Sequence, residues 1–136
     1  MRLFLIGCVI GGCLSLTAAP PVHVRDASGK LIATETTLGN QVVVRDNQGR
    51  IIRTKTRVGN TIVHRDNSGR IVETEQKLGK NTVYRDSSGR TVRTQSQVGN
   101  TTVYRDRNGK IIMTGQQVGN TDIYRDQSGK IKATKR

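Results

Sequence analysis

An all-β fold of tandem hairpins is predicted by three observations: a 20-residue repeat, two kinds of glycine turn alternating along it, and period-two strands between them. The pair Arg25-Asp26 recurs as Arg45-Asp46, Arg65-Asp66, Arg85-Asp86, Arg105-Asp106 and Arg125-Asp126. Glycine follows in step at Gly29, Gly49, Gly69, Gly89, Gly109 and Gly129, and again at Gly39, Gly59, Gly79, Gly99 and Gly119. A fixed period of this kind means one small supersecondary unit copied in tandem, each copy leaning on its neighbours.

The array starts after a different kind of segment. Arg2 is the only charge before an apolar run from Leu3 to Leu16, and Thr17, Ala18 and Ala19 precede Pro20-Pro21. A positive start, a short apolar core and small residues are the order of a secretory signal peptide. The core is shorter than the roughly 20 residues of a membrane-spanning helix. The expected division is a signal peptide over 1–18, cut after Ala18, and a β-hairpin repeat domain over 19–136. Both cysteines lie in this leader, and Ile10-Gly11-Gly12-Cys13 resembles a bacterial lipobox, so lipidation at Cys13 is the alternative processing route. The repeats themselves contain no cysteine and can form no disulfide.

Within one unit, Gln41 to Arg45 is rich in β-branched residues and reads as a strand. Asp46-Asn47-Gln48-Gly49 has the spacing of a type I turn, with the aspartate bonding back to turn amides and the glycine taking a positive φ. The returning strand alternates: Ile52, Thr54, Thr56 and Val58 point one way, Ile51, Arg53, Lys55 and Arg57 the other, which predicts one drier face. Gly59-Asn60 is then a two-residue reversal into the next copy. The result is an antiparallel meander of about twelve strands, with no helical periodicity after the leader. A single sheet leaves edges and a face uncovered, so it must curl, spiral into a shell, close as a barrel or pair with another molecule.

Tyr84-Arg85-Asp86-Ser87-Ser88-Gly89-Arg90 and its copies starting at Tyr104 and Tyr124 resemble the YD repeats of large secreted shell-forming proteins. The resemblance implies hairpin architecture and an extracytoplasmic location. This chain departs from it by placing arginine before every aspartate, and Val24, Val44 and His64 where the other copies have tyrosine. Small exported repeat proteins of unassigned function are the nearer comparison.

The formal charge is +13, and loss of Arg2 with the leader lowers it by one. Much of the excess comes from a position that is always basic: Lys30, Arg50, Arg70, Arg90, Lys110 and Lys130, with no recurrent acidic partner evident in the repeat. These six are the candidate anion-binding residues, with Tyr84, Tyr104 and Tyr124 as candidate stacking surfaces. The Arg25-type residues are expected to pair with aspartates of neighbouring copies in a charge ladder. His64 fills a column of valine and tyrosine and reads as a strand-surface residue rather than a base. One carboxylate per turn is too few oxygens for calcium, and no nucleophile motif is present. The expectation is a non-enzymatic protein without cofactor, exported to the periplasm, outer envelope or exterior, in a structural or binding role. Anionic envelope polysaccharide suits the location and the charge, and membrane contact is expected only through the leader or a lipid anchor. Nucleic acid is the competing polyanion, although few aromatic platforms are available for it. Self-association through open sheet edges is the third reading.

Overall fold

The computed structural model describes residues 19–136, and the cleavage and lipidation assignments at Ala18 and Cys13 fall outside that range. Twelve strands follow in order: β1 (Val22–Asp26), β2 (Leu31–Leu38), β3 (Gln41–Asp46), β4 (Ile51–Val58), β5 (Thr61–Asp66) and β6 (Ile71–Leu78). The second half repeats them as β7 (Asn81–Asp86), β8 (Thr91–Val98), β9 (Thr101–Asp106), β10 (Ile111–Val118), β11 (Thr121–Asp126) and β12 (Ile131–Lys135). Every strand pairs antiparallel with its sequence neighbours, and β1 pairs with β12, so the sheet is a closed up-and-down barrel. Closure removes both edges. At the seam Val24 faces Lys135 and Arg25 faces Thr134. The seam also holds two backbone bonds, from the His23 amide to the Arg136 carbonyl (2.7 Å) and from the Arg136 amide to the His23 carbonyl (3.0 Å).

The turns form for the reasons the repeat suggests. In the first hairpin the Gly29 amide donates to the Asp26 carbonyl (3.0 Å) and the Asp26 amide to the Lys30 carbonyl (2.9 Å). Asp26 Oδ1 accepts the amides of Ser28 (2.8 Å) and Lys30 (3.1 Å), fixing the loop from inside. The glycine at this position takes φ between 80 and 85° in all six copies, a region costly for residues with a Cβ. The five shorter turns place glycine at φ near 60° in the first of two loop positions, the II′ arrangement that matches strand twist. Strand direction alternates, so all six aspartate turns crown one rim. The five short turns and both ends of the described chain lie at the other.

Each aspartate-turn hairpin also carries a bulge: Val44 faces Arg53, but Arg45 faces Ile51. The bulge transfers Ile51 to the face of Thr54, which corrects the simple alternation read from the sequence. A second correction concerns the faces. Ion pairs and ring contacts that skip a strand all belong to the column of Val44 and its partners: Lys55 to Glu35, Lys135 to Glu35, Arg93 to Glu73, and Tyr104 against Tyr124. Only the concave side of a barrel brings such side chains together, so this charged and aromatic face lines the lumen. The threonine face is outside, where Val58 and Val98 are 62% and 60% exposed. On that outer face Val43 and Val103 are buried between hydroxyl-bearing partners, Thr36 with Thr54 and Ser96 with Thr114. The expected drier face is thus not the Ile52–Val58 face. No large side chain is fully buried among the described residues, so stability accumulates from many cross-strand pairs.

Candidate functional site

Lys30, Arg50, Arg70, Arg90, Lys110 and Lys130 each leave an aspartate turn, so the barrel converts a sequence repeat into a basic ring around one rim. The ring is not free of acidic partners, contrary to the sequence expectation. Arg50 Nε pairs with Asp46 (2.7 Å), Arg70 Nη2 with Asp66 (2.9 Å) and Arg90 Nε with Asp86 (3.3 Å), each within its own turn. These arginines remain highly exposed, and Lys30, Lys110 and Lys130 form no ion pair among the described residues. Exposed pairs of this type contribute little energy and leave the guanidinium available.

The Arg25-type residues also differ from expectation. In place of a ladder to neighbouring aspartates, Arg25, Arg45, Arg65, Arg105 and Arg125 each donate Nη1 to the carbonyl of the glycine four residues on, at 3.0 to 3.2 Å. Arg85 bonds Thr91 Oγ1 instead (3.1 Å). The aspartates are occupied by turn amides, which leaves the arginine the nearest free carbonyl. Each copy therefore brings two cations and one aspartate to this rim, a surplus of one positive charge, and the fifth copy adds Arg107 in its turn. Turn bonding favours the charged form of Asp86: a hydrogen bond from the Ser88 hydroxyl, with the turn amides and Arg90, brings it down to about 2 despite some desolvation.

The lumen brings together residues that no local pattern links. Glu35 accepts Lys55 Nζ (2.7 Å) and Lys135 Nζ (2.6 Å), the latter reaching across the seam strand β1. Burial opposes ionisation of Glu35, but the two ammonium groups outweigh it and lower its pKa. Further round, His64 Nε2 lies 3.0 Å from Glu75 Oε2, and Arg93 bonds Glu73 (2.8 Å) while lying 4.0 Å from the Tyr84 ring centre. His64 is 4% exposed, so it is a lumen residue and not the strand-surface residue expected.

Tyr84, Tyr104 and Tyr124, the candidate stacking residues, also face inward. Tyr84 is buried under Arg93 and donates to Gln95 Oε1 (2.7 Å). Tyr104 and Tyr124 are half-buried, their ring centres 6.5 Å apart. Burial first, then the neighbouring Tyr124, pushes the Tyr104 hydroxyl up to about 12. Both rings line a cavity of about 640 Å³ that opens at the short-turn rim. A lone glycine within a strand, Gly115, was a visible signal of it in the sequence.

The fold and these features define a class: a closed twelve-stranded barrel of six hairpin repeats, with a basic rim and a polar lumen. Comparison with protein-family models, curated proteins and solved structures found no match to this chain.

Proposed function

We propose that the protein is an exported, non-enzymatic binding protein of the cell envelope or exterior, which holds anionic surface polysaccharide against its aspartate-turn rim. The single observation that carries the reading is the ring of Lys30, Arg50, Arg70, Arg90, Lys110 and Lys130 on rigid turns around one mouth. Several weak contacts at fixed spacing suit a repeating polyanion better than a small ligand. The leader of Arg2, apolar core and small residues supports export. Closure leaves no free sheet edge, which counts against self-assembly by strand addition.

Binding of the purified protein to lipopolysaccharide vesicles, polygalacturonate and duplex DNA across a salt series tests this reading. Affinity that falls steeply with salt, and at least tenfold in the triple variant Lys30→Gln, Lys110→Gln, Lys130→Gln, supports it. These lysines form no ion pair among the described residues, so the turns stay intact. Tightest binding to DNA would transfer the rim to nucleic acid, and no binding at low salt would end the polyanion reading.

A further inference from the structure

We propose that the cavity at the short-turn mouth is a binding site for a neutral sugar, separate from the basic rim at the opposite end. The cavity arises where the last three copies depart from the first three. In the mid-lumen column Glu35, Lys55, Glu75 and Gln95 are followed by Gly115, over which the Tyr124 ring settles, 3.3 Å from where a Cβ would stand, and so forms part of the cavity wall. In the mouth column Thr37, Arg57 and Lys77 give way to Gln97 and Gln117, so cations are replaced by amides. A third column runs Val42, Ile62, Thr82 and Thr102, then changes to Asp122. Each change removes bulk or positive charge, or adds a hydrogen-bonding group, on the same patch of wall.

The resulting chemistry matches a polyhydroxylated, uncharged ring. Tyr104 and Tyr124 offer apolar faces for ring C–H groups, tilted 53° to each other across Gly115. Gln95 gives its amide oxygen to Tyr84, which leaves its NH₂ for the cavity. Gln97 is held by Thr102 (2.9 Å) and by its own bond to the Gly99 carbonyl (2.9 Å), so one wall is already ordered. Asp122 makes no ion pair among the described residues and can accept two vicinal hydroxyls. The volume lies within the roughly 300–1,000 Å³ of small-ligand sites. An anionic ligand would meet Asp122 with no lysine or arginine in the lining, and an apolar one would strand the amides.

The test is a titration of the purified protein with maltose, cellobiose, lactose and chitobiose, read by tyrosine fluorescence and amide chemical shifts. The chain has three tyrosines and no tryptophan, and two of the three line the cavity, so the emission reports this site. Saturable binding of at least one sugar is expected, unchanged by salt, which separates it from the rim. Two variants copy residues that neighbouring repeats already carry, Gly115→Gln and Asp122→Thr. Each is expected to weaken binding at least tenfold while circular dichroism and the melting midpoint confirm the barrel. No saturable shift with any of the four sugars would overturn the proposal, as would wild-type affinity in both variants.

Discussion

Glu35→Gln removes the shared partner of two lysines without changing side-chain shape, and one of those lysines belongs to the last strand. Glu35 on β2 holds Lys55 on β4 at 2.7 Å and Lys135 on β12 at 2.6 Å, with side-chain exposures of 15%, 26% and 30%. Breaking a fully buried pair costs about 3–5 kcal/mol, while an exposed pair contributes about 0–1 kcal/mol. The partial exposure of this triad, and the acceptor oxygen that glutamine retains, place the loss at about 2 kcal/mol. For a domain of this size that corresponds to a fall of roughly 8 °C in melting midpoint. The assay is thermal unfolding followed by circular dichroism at low and high salt. The fall is expected to persist in high salt, since partly buried charges are screened less than exposed ones. A fall below about 2 °C, or one that vanishes with salt, would refute the placement of this face inside the barrel.

Other outcomes follow from the same geometry. Gly69→Ala is expected to cost about 1–2 kcal/mol through backbone strain alone, because φ is 80° and nothing lies within 4 Å of the added Cβ; denaturant titration measures it. Asp86 and Glu35 are held below their ordinary values, so they stabilise the fold above those values. That contribution is expected to fade as pH drops below about 4.5 and on towards 2, read as a falling melting midpoint. Tyr104 is raised, so its contribution is complete below pH 10 and lost as pH climbs towards 12. Tyrosinate absorbance is therefore expected to appear late and together with unfolding.

The hairpins were legible because turn chemistry is local. Asp46 and Gly49 specify one turn and Gly59 the other, whatever happens elsewhere in the chain. Closure was not legible, because the pairing of Val24 with Lys135 links opposite ends of the array and leaves no local mark. The inner face was hidden for a different reason. Lys55, Glu75 and Arg93 look like a solvated surface in sequence, and only curvature turns them towards one another. The bulge opposite Arg45 likewise needs a partner strand before the shift of Ile51 is visible. At the rim, the sequence supplied the six basic positions but not their pairing. Asp46, Asp66 and Asp86 reach the arginine that closes their own turn because the bulged hairpin folds back over four residues.

The basic rim, the polar lumen and the sugar cavity all depend on one seam, so its pairing is the measurement to make. His23 and Arg136 exchange both backbone bonds, which makes Val24 and Lys135 the adjacent non-hydrogen-bonded pair, with their Cα atoms about 4.5 Å apart. A strong Hα–Hα nuclear Overhauser cross-peak between Val24 and Lys135 within one chain is the predicted result. Its absence while the hairpin cross-peaks are present, or its appearance only between chains in a mixed-label sample, would contradict the closed barrel.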